Sequence, residues 1–547
     1  MMKRFFFYVF FLLTNILYSQ HTNLTLNTSL NSDLDRFLYS NKKSIHTSFR
    51  PIIKSNLSFS IDSAIARYYV SEYKNVYMRK LFSEHLFILS GNDYNVIVSP
   101  IFHFSKGKDL IDSDNTFVNS RGYLIEADLG KKLSFSTSFV ENQAIFPNYL
   151  DSYIRDNRVV LGQGYARNFK GTGFDYAMSS GYVSYVPNTN FYLQFGHGKN
   201  FIGDGYRSLL LSDNTFNYPY LKIQTNFRKV QYTTVYAELM DINYFKIYDL
   251  PTSGQMGYPK KYLSLHYLSY NINNRFNLSF FESVIWKMNN NPNSHSFDVN
   301  YLNPITLINQ ISNKEESPNN VFLGMNSRYA FSSSYFYGQL LLDNFSCLNL
   351  NSFDSYWANN IGFQLGYKIF NPFSISRLTL QTEYNYVRPY TYAHNNPFQN
   401  YGHYNQSLSH PLGANFSEIL FIGNYKWKRF AIDAKIMFAK QGKDFKGDSI
   451  SYGANVYYST GTYENDQGVT GISSGRPSDY GAEMYQGNLT TINFRSLNIS
   501  YIINPVTNLK INIGIILRNS SNIDGDIITR FINFGIMSDL FNRYYDI

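Results

Sequence analysis

The chain of 547 residues carries 48 Lys and Arg against 39 Asp and Glu, a formal net charge of +9; charged residues make up only 16% and aromatic residues 18%, with 49 Tyr and 46 Phe. A mean hydropathy of −0.29 excludes a helical membrane protein, and the low charge is well under the roughly 25% of ordinary soluble domains. Basic residues nowhere form a run of five, which argues against nucleic acid, and a single cysteine, Cys347, excludes an internal disulfide and any Cys-x-x-Cys zinc or redox pair.

In chain order, Lys3 and Arg4 precede the apolar stretch Phe5 to Leu13, and Ile16-Leu17-Tyr18 runs on to Ser19. This pattern predicts a secretory signal over residues 1–19, too short to cross a bilayer as an anchor. No later stretch of about 18 apolar residues occurs, so no transmembrane helix is expected. Residues 20–90 form a second unit. Leu30, Leu34, Phe37 and Leu38 recur at helical spacing with Asp33 and Asp35 on the polar side. Tyr77 to Leu86 predicts a further helical turn or two. This unit reads as a small, partly helical periplasmic or plug-like element.

Residues 91–547 switch to a period of two. Leu221, Ile223, Thr225 and Phe227 alternate with Lys222, Gln224 and Asn226. Ile361, Phe363, Leu365, Tyr367 and Ile369 alternate with Gly362, Gln364, Gly366 and Lys368. The same alternation recurs around Leu378–Tyr386, Phe430–Phe438 and Leu509–Leu517. A soluble sandwich also alternates, but it hides the apolar face in a dry core. The signal, the aromatic excess and the charges spaced inside long strands favour the inverse arrangement, apolar to lipid and polar to the lumen. The fold class expected is therefore all-β: a closed antiparallel transmembrane β-barrel of about 16–18 strands in the cell outer membrane, in contact with its lipid. Polar stretches at 142–175, 287–320, 387–417 and 440–490 predict extracellular loops or an inward-folded plug. Phe531 to Leu540 predicts the closing strand, with Phe541 to Ile547 as an aromatic girdle at the membrane edge.

Motifs for chemistry are missing. There is no His-x-x-x-His zinc helix, Walker loop or Gly-x-Ser-x-Gly elbow, so neither metal, cofactor nor catalytic residue is expected and the chain does not read as an enzyme. Glu126 and Asp128 share a strand face; such a pair can cleave glycosides at the right spacing, but lumenal carboxylates more often pair with lumenal Lys and Arg. Three clusters mix aromatic, cationic and amide side chains, which suits contact with a sugar. The first holds His197, Lys199, Asp204, Tyr206 and Arg207. The second holds Arg388, Tyr390, Tyr392 and His394, and the third is centred on His403. The alternative is that these residues pack the loops into a lid.

Phe195 to Asn214, reading FGHGKNFIGDGYRSLLLSDN, resembles a segment of the capsule-assembly Wzi-type outer-membrane proteins, in the gliding-motility RemB-like branch. Tyr386–His394, His410–Phe416, Tyr301–Pro304 and Leu540–Asp546 look like further segments of that branch. The resemblance implies an 18-stranded barrel with an N-terminal periplasmic element. It implies a lectin-like role in holding surface polysaccharide, and for the gliding branch an accessory role in motility with motility or secretion proteins as partners. Two other functions stay open on the residues alone: a pore for small polar solutes, and an accessory subunit of a secretion or motility machine.

Overall fold

The computed structural model describes residues 21–39, 44–57, 61, 73–242, 258–287, 301, 319–343, 355–448, 450–461, 475–538 and 540–547. The predicted signal lies outside these residues, as does most of the polar stretch 287–320.

Eighteen antiparallel strands close into one barrel. They are β1 (Tyr94–Asp109), β2 (Asn115–Leu129), β3 (Leu133–Ile145), β4 (Gly173–Asn188), β5 (Phe191–Gly198), β6 (Tyr218–Phe227), β7 (Val230–Met240), β8 (Lys260–Asn271) and β9 (Phe276–Lys287). They continue as β10 (Asn320–Ala330), β11 (Ser334–Asp343), β12 (Asn360–Phe370), β13 (Leu378–Val387), β14 (Phe416–Trp427), β15 (Phe430–Lys443), β16 (Asn488–Asn504), β17 (Leu509–Asn522) and β18 (Gly525–Ser538). One end of the barrel carries short turns, such as Lys428-Arg429 between β14 and β15, where Lys428 takes φ +52°. The other end carries the long connections 146–172, 199–217, 388–415 and 444–487.

The alternation read from the sequence holds on β12 and β17, whereas β7 and β8 turn apolar Val235, Leu239, Leu263 and Leu265 inward. On β12, Leu365 is exposed on the outside while Gln364 is fully buried inside. On β17, Ile511, Ile513, Ile515 and Leu517 face out, and Lys510, Asn512 and Arg518 face in. A side-chain period of two gives each strand one face for lipid and one for the lumen.

The lumen is largely filled with protein. The predicted amphipathic helix forms as α1 (Thr28–Leu38) and sits inside the barrel at the short-turn end. Leu34, Leu38 and Tyr39 pack on Tyr335, Tyr337 and Phe370, with Tyr39 stacked on Tyr335 at 4.1 Å between ring centroids. Its acidic side grips the wall: Asp33 pairs with Arg377 and Lys426, each at 3.0 Å, and Asp35 with Lys368 at 2.5 Å. The second predicted helical segment forms as α2 (Val76–Phe82).

The C-terminus departs from the expectation. β18 closes the ring against β1, pairing Phe531 with Asp109 and Met537 with His103. After Ser538 the chain leaves the wall and turns into the lumen. Tyr544 and Ile547 are buried; Tyr544 donates to Asp213 at 2.5 Å and Arg518 donates to the Ile547 carbonyl at 2.8 Å. These aromatics are core rather than girdle, because their hydroxyl and backbone groups find partners only inside. Of the rows of β1 beyond the reach of β18, Asn95 to Val98 pair instead with a short strand, Phe87–Ser90.

Candidate functional site

The long connection between β5 and β6 folds inward and places the first cluster at mid-lumen. Leu209, Leu210 and Leu211 are fully buried. Gly205 lets this loop lie against the wall: a Cβ there would stand 2.6 Å from the Tyr337 ring and collide with the Glu383 carboxylate. Glu383 in turn accepts from the backbone N–H groups of Tyr206 (2.8 Å) and Arg207 (3.0 Å).

Arg207 is fully buried between two carboxylates. It donates to Glu418 at 2.9 Å, to the Asp546 carbonyl at 2.8 Å and to the Asp546 carboxylate at 3.4 Å. His410 lies 2.8 Å from the other oxygen of Glu418. Tyr206 donates to Asp546 at 3.0 Å, and Lys435 reaches both the Tyr206 hydroxyl and Asp546. Burial works against ionisation of the Asp546 carboxyl, but Arg207 and Lys435 outweigh it and hold it below its ordinary range. Asp204 accepts from Thr47 at 2.5 Å and Asn326 at 3.1 Å, which ties the loop to the segment after α1. Lys199 donates to the carbonyls of Gly162 (2.5 Å) and Asp213 (3.0 Å); burial pushes its ammonium down to about 8, partly offset by Asp213. His197, half-buried at the end of β5, meets Phe216 edge-on at 5.9 Å.

The second cluster braces the long-loop end. The Arg388 guanidinium donates to the carbonyls of Asn359 (2.8 Å) and Ala482 (3.1 Å), joining two loops. Tyr390 donates to the Ser451 carbonyl at 3.0 Å. Tyr392 donates to the Leu209 carbonyl at 2.8 Å, linking the first two clusters. His394 accepts from the Asn396 N–H at 3.1 Å, and burial lowers its imidazolium to about 4. In the third cluster, His403 accepts from the Met240 N–H at 3.0 Å and lies 3.2 Å from the Asn217 carbonyl. Burial pushes it down to about 3. Apart from half-buried His197, Lys199 and His394, all the sequence-chosen residues are buried. Their bonding partners are protein groups, the arrangement of a brace.

Glu126 pairs with Lys54 at 3.2 Å and Asp128 accepts from Ser134 at 2.5 Å and the His21 N–H at 3.4 Å. The carboxylates hold the N-terminal segment to the wall. Among the described residues, no three His, Cys, Asp or Glu converge as metal ligands.

An exposed aromatic group at the long-loop end escaped sequence reasoning. Tyr356 and Tyr480 form an isolated antiparallel bridge with ring centroids 5.4 Å apart. The Arg476 guanidinium lies 3.9 Å over the ring of Trp357 and pairs with Asp479 at 2.6 Å. The backbone N–H of Trp357 donates to the Asp479 backbone carbonyl at 3.0 Å. Tyr480 is 55% exposed, so this is a stacking face beside a cation and an acid. Arg388 staples its two supporting loops together. Tyr356 and Trp357 stand in a polar loop, one of only three tryptophan positions in the chain, which is the signal that could have drawn attention to them.

Within the barrel a cavity of about 350 Å³ remains between the filling and the wall of β14 to β18, lined by Asp433, Lys435, Asn498, Lys510, Asn533 and Tyr544 among others.

No family model matches the chain, and no curated protein matches it. Solved structures do. The chain is similar to Wzi, an outer-membrane protein involved in group 1 capsule assembly in Escherichia coli and described as a carbohydrate-binding β-barrel. The likeness covers 95% of this chain and 99% of that one, with a TM-score of 0.53 and 13% identity. It is also similar to OprD of Pseudomonas aeruginosa (84% and 97% covered, TM-score 0.40, 10% identity) and to OccK7 of the same organism (82% and 99%, 0.41, 6%). Identities this low bear on fold alone. The closed 18-stranded barrel is that of an outer-membrane protein, so the chain is located in the outer membrane; in such barrels the short turns are periplasmic and the longer loops extracellular.

Proposed function

We propose that this outer-membrane barrel binds surface polysaccharide at the cell exterior and holds it there without altering it chemically. The observation that carries this reading is the Tyr356–Tyr480 ring pair, with Tyr480 exposed, beside Arg476, Asp479 and Trp357. Aromatic faces cover sugar C–H surfaces, while a guanidinium and a carboxylate serve hydroxyls and acidic groups. A lumen filled by α1, the 199–217 and 388–415 connections and the C-terminal tail favours retention over free passage. The carbohydrate binding described for the similar Wzi barrel agrees. In this reading Arg388, Tyr390 and Tyr392 position the binding loops. Asp204, Tyr206 and Arg207 fix the filling beneath them, and His197, Lys199, His394 and His403 set the loop ends. Capsule or exopolysaccharide is the ligand class proposed. Nothing in the contacts described adds support for a motility or secretion partner.

The test is retention of surface polysaccharide by cells carrying Tyr480→Ala or Trp357→Ala. Retention falls while the folded barrel keeps its heat-resistant mobility in gels. Unchanged retention in both variants would remove the reading. A second reading, a gated pore for small polar solutes, draws support from the cavity along β14 to β18; steady conductance of the unmodified protein in planar bilayers would favour it.

A further inference from the structure

The periplasmic rim carries an apolar surface that the filling and the binding loops do not use. α2 is seven residues long and presents Val76, Tyr77, Met78 and Leu81 outward, Tyr77 being 86% exposed. The chain then runs through exposed Leu86 into the short strand Phe87–Ser90, where Phe87, Ile88 and Leu89 are exposed in succession. A helix this short has little stability of its own in water, yet it is held firmly. Asn75 caps it by accepting from the Tyr77 N–H at 2.8 Å. At its other end Asn504, the last residue of β16, donates to the carbonyls of Lys80 (3.2 Å) and Glu84 (2.9 Å). Glu84 also gathers Arg79 (2.9 Å) and Lys80 (3.0 Å). The polar groups thus fix the helix to the barrel rim while its apolar side is left uncovered.

What covers that side follows from its neighbours. The strand Phe87–Ser90 is part of the barrel wall through its pairing with β1. On the same rim, Ile499 and Tyr501 of β16 and Ile511 of β17 are exposed on the lipid-facing side. The apolar surface of α2 therefore continues the lipid-facing band. Arg79 and Lys80, with aliphatic stems and charged tips, suit the depth at which phosphate groups lie. We infer that α2 and Phe87–Ser90 form a lipid-docking surface, with α2 lying flat in the headgroup region of the periplasmic leaflet. The occupant is phospholipid, bound through apolar insertion.

The test uses the full chain with Cys347→Ser, reconstituted in vesicles of phosphatidylcholine and phosphatidylglycerol. A nitroxide is attached at Met78→Cys and, separately, at Leu81→Cys; a reference label sits at Asp93→Cys, in the turn before β1. Gel mobility before and after heating verifies that each barrel is folded, and the two helix positions check one another. Collisions with an aqueous nickel chelate are several-fold rarer at the helix positions than at Asp93→Cys, while collisions with oxygen are more frequent. Nickel accessibility equal to that of the reference would overturn the inference. So would protection that develops only when periplasmic extract is added, since a protein would then be the occupant.

Discussion

Arg207 and Asp546 lie 339 positions apart in sequence and meet at the middle of the barrel, where the guanidinium donates to both the carbonyl and the carboxylate of Asp546. The contact clamps the C-terminal tail onto the inward loop between β5 and β6. Neither partner sees water; without the Asp546 carboxylate Arg207 keeps Glu418 and the 546 carbonyl, but Tyr206 and Lys435 lose the acceptor they share. Asp546→Ala should loosen the filling by about 3–5 kcal/mol while the wall, held by its own backbone ladder, survives. The variant should keep its heat-resistant gel mobility, admit protease to the 199–217 connection and raise conductance in planar bilayers. A variant as silent and as resistant as the parent would mean that the tail is not a clamp.

Adjacent residues on β16 test the sidedness of the wall. Leu497 is exposed on the outside, whereas Asn498 lines the interior cavity. Leu497→Arg should cost about 2–4 kcal/mol near the bilayer midplane and Asn498→Arg less than about 1 kcal/mol, measured by urea unfolding in lipid vesicles. Gln364, although also inward, is no site for such a replacement. It is fully buried and donates to the Arg207 carbonyl at 3.0 Å, so a second guanidinium there has no room.

Support and contact at the extracellular end can be separated by comparing Arg388→Ala with Tyr480→Ala. The first strands the carbonyls of Asn359 and Ala482 and should cost about 2–4 kcal/mol, lowering the melting temperature and polysaccharide retention together. The second removes an exposed ring and should lower retention alone. If Tyr480→Ala matched Arg388→Ala in melting temperature, the Tyr356–Tyr480 ring pair would be structural.

Acid should open the lumenal loops. His403 binds its proton at about pH 3 when folded against an ordinary 6.5, because burial penalises the charged ring. Protonation would also turn the nitrogen that accepts from Met240 into a donor facing a donor. The folded state binds fewer protons than the unfolded one. The associated stability is therefore fully present above about 6.5 and is lost as pH falls toward 3, a difference of a few kcal/mol. His394, at about 4, acts in the same direction. Hydrogen exchange of the 388–415 amides, corrected for intrinsic rates, should quicken progressively below pH 6, and His403→Gln should flatten the profile. A parent protein with no such acceleration would refute this.

Much of the wall was legible because lipid and lumen impose opposite demands on alternate residues, which a linear pattern records directly. The α1 helix was legible for the same reason, with Leu34 and Leu38 on one side and Asp33 and Asp35 on the other, although its acidic side meets Arg377, Lys426 and Lys368 rather than water. The path of the tail was hidden, since Phe541, Tyr544 and Tyr545 have the composition of a membrane girdle and of a core alike. The clusters around Arg207 and Arg388 were visible as chemistry but not as partnerships. Sequence names donors and acceptors, and it does not say that Glu418 and Asp546 will satisfy Arg207. Trp357 and Arg476 come together only because two long loops converge.

The seam between β1 and β18 has two tenants, one close to β1 in sequence and one remote. Phe87–Ser90 and the start of β1 form a hairpin with a turn of a few residues, the kind of contact that closes within microseconds. β18 must instead bring together the two ends of the ring, the most entropically expensive pairing in the molecule. Its ladder on β1 ends at Met537 against His103, short of the rows from Asn95 to Val98 that the hairpin fills. The residues that follow leave the edge and turn inward, where Asp213, Arg207 and Arg518 receive them. One edge of the barrel is thus shared between a local hairpin and the far end of the chain.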